Sequence, residues 1–204
     1  MNGDQLNELR AMLARFVSTS ASDDAKRNAM RTRDLIASVP HPWRRSVLDG
    51  HLTASAWVLD RTHTHVAMLH HRKLDRWLRP GGHIDDTDTS WRGAARRELE
   101  EETGLTRFVA QADDEDLFDV DVHAIPARKD ERAHLHYDLR FLFVADVDAR
   151  ASAGAGGQMR LNAEESHDCR WFALAALAND PALGPETQRM IELSIRRYSV
   201  RQHP

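Results

Sequence analysis

The N-terminal part of the chain alternates apolar and polar residues with the period of an α-helix. Between residues 4 and 17, apolar side chains recur at three- and four-residue spacing, which predicts one amphipathic helix. A second helix is predicted from near Asp23 to about Ser38, because Pro40 disfavours its continuation. Its apolar stripe is weaker and comprises Met30, Leu35, Ile36 and Val39. The two helices predict an N-terminal helical extension over residues 1–50.

From Leu52 onwards the pattern changes to the alternation and β-branched content of strands. Pro80-Gly81-Gly82 predicts a sharp break, and Gly104 is placed to end a central helix. The predicted strands are Thr53–Leu59, His65–Leu69, Leu117–Ile125, Leu135–Val147 and Cys169–Phe172. The predicted helices are Ser90–Glu102 and Pro185–Tyr198, and the Gly/Ala-rich segment Ala151–Gly157 is expected to be mobile. This order predicts an α+β domain with a mixed sheet over residues 51–204.

Composition and charge narrow the class of protein. A hydrophobic content of 41% with 29% charged residues is typical of a soluble globular protein. No run approaches the roughly 18 apolar residues of a membrane span, and residues 1–10 lack the features of a secretory signal, so we expect a cytoplasmic protein with no membrane partner. The net charge of −4 argues against duplex nucleic acid but not against a small anionic substrate. The single cysteine, Cys169, is interpreted as a small buried hydrophobe on a strand.

The central helix carries an unusual concentration of acid. Glu98, Glu101 and Glu102 stand at positions i, i+3 and i+4, so their carboxylates converge on one helix face and repel each other. A solvated charged face is the ordinary explanation of such a run. The glycines at 82 and 104 on either side of the helix favour metal binding instead, because a glycine turn lets a backbone carbonyl join the ligands of a metal ion. Hard cations such as Mg²⁺ prefer these oxygen ligands.

The segment Gly82–Leu105 resembles the Nudix box. Residues 97–105 match the second half of the box at each fixed position, and Gly82 matches its opening glycine. The middle of this segment differs from the family pattern at two points. Asp88 stands where the family has glutamate, and eight residues rather than seven separate Asp88 from Arg97. The resemblance implies that Asp88 contacts the arginine. Aspartate is also a good helix N-cap, and the two roles are compatible.

The resemblance covers roughly Leu52 to Leu177 and implies a Nudix-type α/β/α sandwich with the box at the active site. It implies hydrolysis of a diphosphate linkage, with Mg²⁺ as the cofactor and Mn²⁺ as a substitute. The implied metal ligands are Gly82, Glu98, Glu101 and Glu102. Arg97 would orient the glutamates by ion pairing. The general base in the family is a box glutamate or one on a later loop, where we favour Glu165 over Glu164.

Basic and aromatic residues near the box are candidates for substrate binding. Arg72 and Lys73 follow a strand and are plausible phosphate contacts, although an ordinary basic turn explains them too. Trp77 is interpreted either as a core residue or as a stacking surface for a base. The remaining candidate substrate contacts are His83, His134 and His136. His134, His136 and Asp138 alternate along one strand and therefore face the same way, as a metal or phosphate surface would require.

Three functions remain open from the sequence: a hydrolase, a non-catalytic nucleotide-binding module, and an interaction domain with a solvated acidic helix. The intact glutamates favour the hydrolase, because binding modules usually lose one of them. For a hydrolase, the resemblance implies a small nucleotide-like diphosphate as the substrate, either a nucleoside diphosphate derivative or a nucleoside triphosphate. Val120 stands where ADP-ribose hydrolases of the family carry proline. A homodimer stays open, because the oligomeric state cannot be read from the sequence.

Overall fold

The computed structural model describes residues 1–111, 115–128, 131–150, 159–160, 162 and 166–199. The helices are α1 Gly3–Thr19, α2 Asp23–Ser38, α3 Trp91–Thr103, α4 Leu174–Leu177 and α5 Pro185–Ser199. The strands are β1 Gly50–Leu59, β2 His65–His71, β3 Arg76–Leu78, β4 Gly81–His83, β5 Asp119–Ile125, β6 His134–Val144 and β7 Ser166–Ala173. The chain forms two compact units. The first comprises Met1–Ala56, Gly81–Glu98 and Glu115–Phe141, and the second comprises Trp57–Pro80, Leu99–Asp114 and Leu142–Pro204.

Helices α1 and α2 belong to the first unit and begin at side-chain caps. Asn2 and Gln5 form a capping box at the start of α1, and the Ser22 side chain accepts a hydrogen bond from the Ala25 N–H at the start of α2. The residues that α1 buries are Leu9, Met12, Leu13 and Phe16, as its apolar spacing predicts. The stripe predicted for α2 is wrong in part, because Met30 is 48% exposed. Of that stripe Ile36 is buried, and the rest of the buried face of α2 consists of the smaller residues Ala25, Ala29 and Thr32.

The strands of the first unit pair in antiparallel registers. β4 pairs with β1, with Ser55 opposite Gly81 and Thr53 opposite His83. β5 pairs with β6 from Asp119 to Ile125, and β6 lies beside β1 in the sheet. The predicted break at the double glycine is therefore the strand β4. A Cβ atom at Gly81 would lie 2.3 Å from the Ser55 Cβ, so glycine is what allows these two strands to approach.

The second unit is built around β2, which pairs with β3 on one edge and with β7 over most of its length. Trp57 is fully buried and its indole Nε1 donates a hydrogen bond of 2.8 Å to Ser194 Oγ on α5. Cys169 is buried on β7, as the sequence predicted. Burial raises the pKa of its thiol, with a smaller contribution from the charge of Asp168. The short helix α4 was not predicted.

The predicted helix and strand order agrees with the observed elements except at β3, β4 and α4. No helix of the described residues combines the length and apolar character needed to cross a membrane. The division into residues 1–50 and 51–204 stays a prediction. The segment Ala151–Gly157, which was expected to be mobile, lies outside the described residues.

Candidate active site

Arg97 on α3 is the centre of the hydrogen-bond network around the box. Its Nε donates to Asp88 Oδ1 at 3.0 Å and its Nη2 to Asp88 Oδ2 at 3.1 Å. Nη2 also donates to the His83 carbonyl oxygen at 2.9 Å, and Nη1 donates to Glu98 Oε1 at 3.0 Å. The hydrogen bonds to Asp88 are the main cause that raises the pKa of the guanidinium. Arg97 therefore joins the loop before the helix to the first of the three glutamates.

Of the two roles predicted for Asp88, arginine contact and helix N-cap, the structure has the arginine contact. It accepts both bonds from Arg97, and its Oδ2 also accepts the Asp85 backbone N–H at 2.8 Å. The N-cap interpretation is wrong, because α3 begins at Trp91 and Ser90 Oγ accepts the Gly93 N–H at 2.9 Å. The extra residue between Asp88 and Arg97 thus leaves the carboxylate–guanidinium contact intact.

Gly82 lies directly against the carboxylate of Glu98. A Cβ atom at Gly82 would be 2.6 Å from Glu98 Oε2 and 2.8 Å from Oε1, closer than real Cβ contacts occur. The glycine therefore leaves room for the carboxylate beside the backbone of β4. Carboxylate oxygens next to a bare backbone are the donors that a hard divalent cation prefers, so these residues fit Mg²⁺.

The last turn of α3 carries the other two glutamates. Glu101 is exposed, whereas Glu102 is only 7% exposed. The helix is continuous from residue 91 to 103, so both stand at the i+3 and i+4 positions that follow Glu98. Gly104 has a φ of +68° and its N–H donates to the Glu100 carbonyl at 2.9 Å, which ends the helix as predicted.

The predicted phosphate and base contacts lie in the second unit. Arg72 and Lys73 are exposed in the turn between β2 and β3. Trp77 on β3 is half-buried, and its ring lies edge-on to Phe172 with a centroid distance of 4.7 Å. The Arg170 guanidinium lies 5.6 Å from the same ring. The tryptophan is thus packed on β7 and keeps part of its surface accessible, which is compatible with both interpretations.

Four histidines of the first unit form a cluster that we call the histidine cluster, consisting of His51, His83, His134 and His136. The His51 ring lies 5.1 Å from that of His83 and 5.0 Å from those of His134 and His136. Burial lowers the pKa of His83 and of His136 to about 3, with smaller contributions from neighbouring charges that include Arg45 near His83 and the other histidines near His136. The sequence gives no signal for His51, because only the pairing of strands brings its ring to the other three histidines.

Asp138 was predicted to face the same way as His134 and His136, but it does not belong to the group of described side chains that could hold a metal ion, which is His51, His83 and His136. Its carboxylate accepts hydrogen bonds from Thr53 Oγ1 at 3.1 Å and Ser55 Oγ at 2.9 Å. It also accepts one from Arg140 Nε at 2.9 Å. Asp138 is thus part of a buried polar network. Glu164 and Glu165, the candidate general bases on the later loop, lie outside the described residues.

Comparison with known proteins identifies the protein family to which this chain belongs. The model of the NUDIX domain family matches residues 50–193, which is more than half of the chain. The chain therefore belongs to the Nudix family. The enzyme class predicted from the box, a Nudix-type hydrolase, is confirmed, as is the α+β fold with a mixed sheet preceded by a helical pair. No curated protein sequence matches the chain.

Solved structures with the same fold are distant in sequence. A C. elegans Ap4A hydrolase, solved as a binary complex, is 14% identical with a TM-score of 0.51, and the match covers 73% of this chain and 98% of that chain. The NUDIX domain of Shewanella oneidensis NrtR, solved in complex with ADP ribose, is 16% identical with a TM-score of 0.50, covering 81% and 97% of the two chains. At these identities the likeness establishes the fold alone.

Proposed function

We propose that this protein is a cytoplasmic Mg²⁺-dependent hydrolase of the diphosphate linkage in a nucleoside diphosphate derivative or a nucleoside triphosphate. Family membership supports the class of reaction. The observation that carries the metal dependence is the position of the Glu98 carboxylate against the Gly82 backbone, where Arg97 holds it by a hydrogen bond of 3.0 Å.

Each residue of the box has a stated role in this proposal. Glu98, Glu101 and Glu102 hold Mg²⁺ or Mn²⁺, with the Gly82 carbonyl as a further ligand. The bound metal ion would neutralise phosphoryl charge and lower the pKa of a bound water. Arg97 positions Glu98 by an ion pair, and its positive charge reduces the repulsion between the glutamates of this helix face.

The substrate contacts are proposed from charge and exposure. Arg72 and Lys73 are exposed cations that can pair with phosphate oxygens. Trp77 offers a partly accessible ring for a base. The general base is proposed to be Glu165. His83, His134 and His136 are proposed as substrate contacts, and loss of nucleotide affinity in a variant that lacks His51 and His136, with no metal bound by the wild type, would distinguish this role from metal binding.

The test is release of phosphate or nucleoside monophosphate from a panel of nucleoside triphosphates, sugar nucleotides, dinucleotides and ADP-ribose in the presence of Mg²⁺. We expect Glu98→Gln and Glu102→Gln to lower turnover by about 100-fold or more, equivalent to about 2.7 kcal/mol of barrier. Glu100→Gln is the matched control, since it makes the same change on the same helix outside the proposed ligand set. Equal rates for the wild type and Glu102→Gln would overturn the proposal.

The two alternative functions give distinct results in the same measurements. Tight nucleotide binding without turnover would indicate a binding module. Failure of the wild type to bind Mg²⁺ or Mn²⁺ at millimolar concentrations would indicate an interaction domain whose acidic helix is a solvated face.

A further inference from the structure

The histidine cluster is assembled by three strands of the first unit. His51 lies on β1, His83 on β4, and His134 and His136 on β6. The ring of His83 lies 5.2 Å from that of His136, and the rings of His134 and His136 are 5.0 Å apart. Four imidazoles so close together have no apolar packing explanation, because each carries two polar nitrogens.

The buried nitrogens of the cluster lack partners. Nε2 of each of the four histidines is buried without a hydrogen-bond partner in the part of the chain that the structure describes. A buried polar atom left unpaired costs about 1–3 kcal/mol. Four such atoms on neighbouring rings favour a ligand that binds among these side chains.

We propose that His51, His83 and His136 bind a divalent transition-metal ion of the zinc class, at a site separate from the carboxylates of the box. One ligand nitrogen from each of the three lies within 4.8 Å of the others. Imidazole nitrogens on a tetrahedral zinc ion are about 3.3 Å apart, as follows from a Zn–N distance of about 2.0–2.1 Å. Small side-chain rotations therefore bring the three nitrogens to ligand distance.

His134 stands beside this trio with its tautomer fixed. Its Nδ1 donates a hydrogen bond of 2.9 Å to the Arg132 carbonyl oxygen, so the lone pair is on Nε2. The Glu131 carboxylate lies 3.9 Å from that Nε2. A cavity of about 290 Å³, lined in part by Leu48, His51, Glu131 and His134, lies beside the cluster. Of the three proposed ligands, His51 lines this cavity, so a metal ion would approach the site from the side of His51.

The class of metal follows from the donor atoms. Neutral imidazole suits Zn²⁺, Cu²⁺, Ni²⁺ and Fe²⁺, whereas Mg²⁺ prefers oxygen and retains its waters. The proposed site is therefore expected to bind transition metals in the presence of excess Mg²⁺. It lies next to the box in sequence, because His83 follows Gly82 and its carbonyl accepts a hydrogen bond from Arg97.

The experiment titrates tag-free, chelator-treated protein with Co²⁺ in the presence of excess Mg²⁺ and records the visible absorption of the bound ion. We expect the wild type to bind one Co²⁺ with the strong absorption of a four-coordinate nitrogen site. The double variant His51→Ala, His136→Ala should weaken binding by about 100-fold or more. The control His41→Ala removes an exposed histidine outside the cluster and should retain binding. Glu98→Gln should retain it too, which separates this site from the box.

Two results would overturn the proposal: a wild type that binds no Co²⁺, or a double variant with an unchanged Co²⁺ spectrum. A wild type that binds no metal, together with a double variant that loses nucleotide affinity, would instead establish the histidines as substrate contacts. If the double variant fails to fold, X-ray absorption of the zinc-loaded wild type decides the question. Imidazole scattering supports the site, and a shell of oxygen atoms alone contradicts it.

Discussion

The Asp88 carboxylate receives two parallel hydrogen bonds from the Arg97 guanidinium, Nε to Oδ1 at 3.0 Å and Nη2 to Oδ2 at 3.1 Å. The Asp88 side chain is only 6% exposed, so its carboxylate is shielded from water, whereas the Arg97 side chain is 26% exposed. Two parallel, charge-assisted bonds are among the strongest side-chain contacts in proteins. Aspartate in place of the family glutamate therefore preserves the arginine contact, although the loop contains one extra residue.

Asp88→Asn is expected to lower the free energy of unfolding by about 1–3 kcal/mol, because one charge-assisted bond is lost and Arg97 keeps its charge. Hydrolysis should fall as well, since Arg97 also positions Glu98. Urea unfolding and turnover measure the two effects. Asp85→Asn is the matched control, because the exposed Asp85 carboxylate lies 3.8 Å from Arg97. Equal losses in the two variants would contradict the special role of Asp88.

Gly82→Ala is expected to lower turnover by about tenfold or more, with a smaller effect on folding. The added Cβ would lie 2.6 Å from Glu98 Oε2, so the carboxylate has to move away from the proposed metal position. The affinity for Mg²⁺, measured by calorimetry, should fall in parallel. Gly3→Ala serves as the control, because its Cβ meets nothing within 4 Å. Unchanged Mg²⁺ affinity in Gly82→Ala would count against the proposed ligand set.

The central helix could be predicted from the sequence because its signals are local. Composition and the closing glycine predict the helix at 90–102, within one residue of the observed Trp91–Thr103. β4 could not be predicted in this way, since Gly81 and Gly82 have turn propensity and no side chain. Their place in a strand depends on contact with Ser55 and Glu98, which are remote in sequence.

The site residues that could be predicted from the sequence are likewise those with a local signal. The spacing of Glu98, Glu101 and Glu102 lies within one helix, so the pattern is visible without a structure. The histidine cluster needs three strands to pair, and His51 carries no local signal of it. Alternation along β6 predicts which way Asp138 faces, but it does not predict that the Asp138 carboxylate accepts a hydrogen bond from Arg140.

Arg140→Met is expected to destabilise the protein by about 3–5 kcal/mol. Arg140 is 1% exposed and pairs with three carboxylates, so its loss leaves uncompensated buried charge. Those carboxylates belong to Asp119, Asp121 and Asp138. Arg132→Met is the control, because Arg132 pairs only with the 95% exposed side chain of Asp49 in the part of the chain that the structure describes. Denaturant midpoints that agree between the two variants would refute this assignment.

Arg45→Ala is expected to tighten Zn²⁺ or Co²⁺ binding at the histidine cluster by about threefold or more. Arg45 Nη2 lies 2.9 Å from His83 Nδ1 and can only donate to it. Binding of a metal through Nε2 places the ring proton on Nδ1, which then repels the guanidinium N–H. Metal binding and this hydrogen bond therefore exclude each other.

The control for this effect is Arg44→Ala, which removes a neighbouring exposed cation whose carboxylate partner is Asp86. Its Co²⁺ affinity, measured by the same titration, should match that of the wild type. Weaker metal binding in Arg45→Ala would show that Arg45 supports the site and does not compete with it.

The metal-free protein should lose stability as the pH falls below about 6.5, because of the histidine cluster. The pKa of His83 and that of His136 are lowered to about 3, so both stay neutral in the folded state while the unfolded chain binds protons near pH 6.5. Their contribution is therefore fully present above pH 6.5 and is lost progressively as the pH falls towards 3. The titratable and charged groups that face them are Arg45, His51, His123 and His134.

The measurement is the free energy of unfolding of chelator-treated protein at pH values of about 7.5 and about 5. Each of the two imidazoles should account for about 1–2 kcal/mol of the decrease. His136→Gln should remove its share, since glutamine binds no proton in either state, whereas His41→Gln changes only an exposed ring and should leave the decrease unaltered. A decrease of the same size in the wild type and in His136→Gln would mean that His136 is protonated alike in the folded and unfolded chain. Saturating Zn²⁺ should raise the stability of the wild type by a similar amount at both pH values, because His83 and His136 are already neutral in the folded metal-free protein.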